Sequence, residues 1–298
     1  MEVVASRRVS ADPWPLCSRS RTTNKYRAWG TAFFLAYPAG EWGETYLVTA
    51  RHLLPNACSG DGTVHLRVNT RDGGVAFLAV PGGEGAWWTP DDEGVDVAVL
   101  PFAFDSTVDI RVTAAELIAT DDVIAHYEIG VGDPLDIVGL FEHVQGRARN
   151  RPIVRTGTIA AMPDEPFIEK EGAPPSWLYL AEIRSHGGLS GSPVGVLLGY
   201  DRDADGNRVR SGPGFLLGMI RGHWELPDAA YNAFFRDADG TLNTGIALVT
   251  PMQEVTKLLT SDKARAKRSE LSVERRGARV AHDSAEAIGP RGSPNPNA

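Results

Sequence analysis

Short runs of β-branched, aromatic and aliphatic residues recur along the chain, each bounded by Gly, Pro, Asn or Asp. They are Thr31–Tyr37, Tyr46–Thr49, Val64–Val68, Val75–Val80, Val95–Leu100, Leu135–Leu140, Pro152–Ala160, Trp177–Ile183, Phe215–Ile220 and Gly245–Val249. Many short strands at this spacing, with no long helices alternating between them, predict an all-β barrel or sandwich protein. One helix is expected late in the chain. Pro251 suits a first helical turn, and apolar residues at 252, 255, 258 and 259 fall on one helical face. A second short helix is expected to start at Thr113 and run through Leu117. From Ser261 the pattern fades: residues 261–298 hold eight Lys/Arg, five Asp/Glu and almost no large apolar side chains. Such a segment cannot bury enough surface to offset its ordering entropy, so a disordered tail is expected there.

Composition narrows the class only modestly. A chain of 298 residues, 42% hydrophobic and 23% charged, is long enough for one large or two modest domains with a sizeable core. Its formal charge of -8 and the lack of a basic stripe argue against binding nucleic acid, whose phosphates are met by clustered Lys and Arg. There is no run of 18 apolar residues, so no membrane-crossing helix is expected. The start, MEVVASRRVSADPWPLCSRSR, lacks the long apolar core of a signal peptide, and a cytoplasmic location is the expectation. Two cysteines, Cys17 and Cys58, are too few for a disulfide-stapled scaffold.

Chemistry enters at Arg184-Ser185-His186-Gly187-Gly188-Leu189-Ser190-Gly191-Ser192-Pro193. A serine set among glycines can sit on a tight turn with its hydroxyl bare, which suits a nucleophile and equally suits an ordinary Gly/Ser turn. Two upstream segments supply partners. Tyr46–Ala50 leads into Arg51-His52, and Gly94–Leu100 carries Asp96 among apolar residues, where an acid is costly unless something satisfies it. Serine needs a base to remove its proton; imidazole titrates near neutrality and can return that proton to a leaving amine. A buried carboxylate would hold the imidazole in one tautomer. His52 on its own also reads as a satisfied core histidine.

Taken together, Thr49-Ala50-Arg51-His52, Asp96-Val97-Ala98-Val99-Leu100 and Gly188-Leu189-Ser190-Gly191-Ser192-Pro193 resemble the three signature segments of trypsin-like (chymotrypsin-fold) serine peptidases, in the order His, Asp, Ser. The separations of 44 and 94 residues suit that family, and the wording around Ser190 is closest to bacterial trypsin-like and glutamyl-endopeptidase-like members. The match spans roughly residues 28–260. It implies two six-stranded antiparallel β-barrels with the site between them: an N-terminal extension 1–27, a first barrel 28–120, a second barrel 121–250, a C-terminal helix 251–260 and the tail 261–298. It also implies a triad of His52, Asp96 and Ser190, an oxyanion hole from the amides of Gly188 and Ser190, and a substrate pocket around Arg184, Ser185, Ile220, Gly222 and His223. No metal or organic cofactor is implied, and the expected partners are a peptide or protein substrate and a regulatory protein.

Two departures from the secreted members matter. Leu189 replaces the aspartate that pairs with a newly cut N-terminus, so activation by cleavage is not expected. Leu53 stands where a disulfide cysteine is common. His186 reads as a pocket-rim residue, and His223 as a cleft edge or an exposed loop residue. Asp201–Asn207 mimics the start of a calcium loop, but Gly212 stands where the bidentate glutamate is needed, so an acidic hairpin loop is the better reading. Arg236–Gly240 is read the same way. The rival to a peptidase is a catalytically silent barrel module that binds peptides or partner proteins in the same cleft, because fold alone does not fix activity.

Overall fold

In the computed structural model of the protein, every second residue of Pro134–Gly139 is buried, the period of a strand with one face on a core. The structure describes residues 14–19, 25–38, 43–83, 85–140, 146–166, 168–169, 172–185, 187–199, 201–202, 208–209, 213–226 and 242–271. Its strands run β1 (Trp14–Arg19), β2 (Tyr26–Tyr37), β3 (Glu44–Thr49), β4 (Thr63–Asn69), β5 (Val75–Pro81), β6 (Ala98–Pro101), β7 (Val112–Ala114), β8 (Pro134–Gly139), β9 (Ile153–Ala161), β10 (Tyr179–Glu182), β11 (Pro193–Leu197), β12 (Asp201–Arg202), β13 (Arg208–Val209), β14 (Gly214–Leu226) and β15 (Leu242–Pro251). The labelled helices among the described residues are short: α1 (Leu54–Ala57), α2 (Asp121–His126) and α3 (Met252–Thr260), with single 3-10 turns at Arg51–Leu53 and Ala115–Leu117.

The strands form two main sheets. The second is a closed antiparallel barrel of six strands in the order β10-β15-β14-β11-β8-β9, filled by Leu135, Ile137, Ile159, Val194, Val196, Leu217, Ile220, Ala247 and Val249. The first runs β5-β4-β1-β2-β3-β6, with β7 lying parallel to β2. Six strands are in its path as the resemblance implies, but β5 and β6 do not pair, so this sheet is a half-barrel. The protein is all-β with a C-terminal helix, as its hydrophobic pattern predicts.

Local differences from the expected elements have physical reasons. β1 lies in what reads as an N-terminal extension, yet it pairs with both β2 and β4. Pro15 has no amide to donate and the segment ends in polar residues, so its strand character comes from its neighbours and not from its own propensity. Only a 3-10 turn forms within the helix expected at Thr113–Leu117, because Val112–Ala114 pairs with β2. Residues 262–271 are helical after a break at Ser261, so helix extends past the expected 251–260. The rest of the expected tail, 272–298, lies outside the described residues. β12 and β13 pair as a two-stranded hairpin; residues 203–207 between them, and 236–240, lie outside the described residues.

Candidate active site

β3 ends at Thr49, and the chain turns at once into the 3-10 turn that carries His52. Since Thr49 faces Ala98 across the β3–β6 ladder, residues 97 and 96 would face 50 and 51, which have already left the strand. Asp96 therefore precedes β6 instead of lying within it, which corrects the strand start expected at Val95. Freed from the ladder, its carboxylate turns to the histidine. Asp96 Oδ1 accepts from the His52 backbone amide at 2.9 Å, and Oδ2 lies 2.6 Å from His52 Nδ1. The acid side chain is 7% exposed and the imidazole 47%, so one ring nitrogen is held while the ring still faces solvent.

Burial, the largest single influence on the Asp96 carboxyl, would raise its pKa. The hydrogen bonds from the His52 ring and amide, with the charges of His52 and Arg221, outweigh it and hold the carboxyl below its ordinary range. The acid is thus an anion at neutral pH. That charge fixes the Nδ1–H tautomer of His52 and leaves Nε2 as the basic nitrogen.

Ser190 stands between Gly188 and Gly191, both with left-handed backbone at φ of 93° and 83°. A Cβ on Gly191 would overlap the Thr31 carbonyl oxygen, so this close approach needs glycine. The turn is pinned on two sides. Thr31 of β2 donates from its amide to Ser190 O (2.8 Å) and from its hydroxyl to Gly188 O (2.7 Å). On the barrel side, Gly191 N donates to Ile220 O and Ile220 N to Ser192 O. Leu189, fully buried, anchors the turn in the barrel core. Among the described residues, no oxygen accepts from the amides of Gly188 or Ser190.

His52, Asp96 and Ser190 line one cleft of about 730 Å³, together with Ser185, Gly222 and His223. Ser190 Oγ donates to the Arg221 carbonyl oxygen at 3.1 Å, and no hydrogen bond joins it to His52 among the described residues.

Two of the expected pocket residues do not line this cleft. Ile183 and Ser185 are buried and Arg184 between them is exposed, because strand-like alternation turns Arg184 outward. Ile220 points into the barrel core. His186 lies outside the described residues. Arg221, Glu169 and Ser176 were not anticipated: Arg221 donates to Ser176 Oγ (3.3 Å) and pairs with Glu169 at 2.8 Å. A charged residue inside the apolar stretch Phe215–His223 is the same signal that marks Asp96; Glu169, in a polar and proline-rich stretch, gives none.

Among the described residues no group of His, Cys, Asp and Glu is arranged to hold a metal ion. Both cysteines are free thiols, and burial pushes the Cys17 pKa up to about 12, far from a reactive thiolate. No helix among the described residues is long and apolar enough to cross a membrane. Compared with family models and with curated proteins, the chain matches none.

Proposed function

We propose that the protein is a serine endopeptidase of the trypsin-like kind, working without a cofactor. The observation that carries this reading is the double grip of Asp96 on His52, through the ring and through the amide, at the mouth of a cleft that also holds Ser190 on a glycine-framed turn.

The chemistry follows from these groups. His52 Nε2 takes the Ser190 proton as Oγ bonds to the substrate carbonyl carbon, and Asp96 stabilises the imidazolium that results. The amides of Gly188 and Ser190 supply donors for the carbonyl oxygen as it becomes an oxyanion, an effect worth roughly 10²- to 10³-fold in rate per donor. The carbon–nitrogen bond then breaks, the amine leaves with the proton from His52, and an acyl group remains on Ser190. Water, deprotonated by His52, attacks the ester; the acid product leaves and Ser190 regains its proton.

One observation favours a second reading, a silent module that binds peptides in the same cleft: the Ser190 hydroxyl is engaged by the Arg221 carbonyl. A fluorophosphonate probe separates the two. Stoichiometric labelling that is lost in Ser190→Ala supports the peptidase. A folded sample that takes no label supports the binder. Cleavage of a peptide library then defines the substrate.

A further inference from the structure

Across the β14–β15 ladder Ile220 faces Val249 and Gly222 faces Leu248, which leaves Arg221 as an extra residue with no partner on β15. A bulge of this kind bends the strand and re-aims the bulged side chain. Both halves of Arg221 then reach the site. Its carbonyl oxygen accepts from Ser190 Oγ at 3.1 Å. Its guanidinium donates to Gly94 O at 2.8 Å and to Ser176 Oγ at 3.3 Å, and pairs with Glu169 at 2.8 Å. Gly94 lies two residues before Asp96, and Ser176 Oγ also donates to the Gly94 carbonyl, at 2.9 Å. The planar fork of arginine spreads its donors over two terminal nitrogens in fixed directions and so reaches these three acceptors from one side chain; a compact ammonium does not reproduce that spread.

We propose that Arg221 is a positioning residue of the reaction: its guanidinium fixes the turn that carries Asp96 against β14, and Glu169 neutralises its charge so that the His52 imidazolium can form close by. This assignment rests on the peptidase reading. The Asp96 carboxyl is held down in part by the Arg221 charge, which places the guanidinium within electrostatic reach of the acid.

The charged and titratable groups lining the cleft with His52 are Arg51, Glu93, Asp96, Glu169, Arg221 and His223. Arg221 and Glu169 form an ion pair among them, with side chains 18% and 20% exposed. Removing Arg221 alone takes away a positive charge and leaves Glu169 unbalanced, which favours the imidazolium. Removing Glu169 alone leaves a bare guanidinium, which disfavours it. Removing both leaves the net charge unchanged.

The test uses the full chain, a peptide substrate taken from the library and four variants: Arg221→Met, Glu169→Gln, their combination, and Arg221→Lys. Folding is checked by circular dichroism and melting temperature. Arg221→Met is expected to lower kcat by about tenfold or more, with KM changed less than about threefold, because it acts on the geometry of the reacting groups. The acid limb of kcat/KM should move to higher pH by roughly half a unit or more. Glu169→Gln should move that limb to lower pH. The double variant should bring the limb back near its parental position while kcat stays low, and Arg221→Lys should restore the limb better than it restores kcat.

A folded Arg221→Met protein with parental kcat and parental acid limb overturns the assignment while leaving the peptidase reading intact. So do Arg221→Met and Glu169→Gln limbs that move in the same direction. If Arg221→Met does not fold, the direction of the Glu169→Gln shift decides. A parent chain that neither hydrolyses peptide nor takes the probe overturns both the peptidase reading and the assignment built on it.

Discussion

At the scale of single residues, the peptidase reading rests both rate and acid response on the pair formed by Asp96 and His52. Ser190→Ala or His52→Ala should each lower turnover on the order of 10⁶-fold, while Asp96→Asn should cost on the order of 10⁴-fold by releasing the wrong histidine tautomer. Steady-state kinetics on a cleaved peptide, with melting curves as a control for folding, check these values. The Asp96 carboxyl is held below its ordinary range, so it adds stability above the unfolded-state value and loses that contribution as pH falls through the folded-state value. The gap in unfolding free energy between parent and Asp96→Asn should therefore narrow as pH drops below about 4, the usual range for an aspartate. Urea titrations at stepped pH measure it, and a gap that widens on acidification would contradict the assignment. His52, Asp96 and Ser190 were legible because each stands in a setting that its residue type does not favour without a reason. Arg221 was equally legible by that rule. Its contacts with Ser176 and Glu169 were not, because they join positions 45 and 52 residues apart with no local pattern between them.

At the scale of elements, the turn that carries Ser190 is ordered by its own hydrogen bonds to β2 and β14 and by the burial of Leu189. On the peptidase reading the turn is expected to need no inserted N-terminal amine, which probe labelling of the uncut chain checks. Gly191→Ala would force a side chain into left-handed backbone and against the Thr31 carbonyl, so it should lower stability by about 2 kcal/mol or more. It should also slow probe labelling of Ser190. Chemical denaturation and labelling rates together check this; a stable variant that labels at the parental rate would show the turn to be slack. Most strands could be read from the sequence because alternation or a short apolar run marked them. β11 was missed since Pro193–Leu197 follows the glycine-rich turn without a break, and the turn chemistry masked the start of a fully buried strand.

At the scale of the whole molecule, a polar knot ties the connection between β8 and β9 to the first sheet. Arg67, buried on β4, donates to the side chain of Asn150 and to the carbonyls of Gly146 (2.9 Å) and Arg147 (3.1 Å); Asn150 Nδ2 donates back to Arg67 O at 2.7 Å. Asn150 N also donates to Asn69 Oδ1 at 2.7 Å. Because the sheet supplies His52 and Asp96 and the barrel supplies Ser190, this link bears on their register. Arg67→Ala leaves several buried acceptors unsatisfied and should cost on the order of 3 kcal/mol, with faster hydrogen exchange concentrated at residues 146–150. Exchange that rises evenly over the chain would speak against a local tie.

The place of β1 has a practical meaning for how this chain can be cut. Among the described strands it comes first in sequence but lies between β4 and β2, so its loss would expose two facing rows of unpaired amides and carbonyls. Deleting through Arg19 makes two sticky borders out of an interior seam, and the product should leave a sizing column as aggregate instead of as a shorter soluble protein.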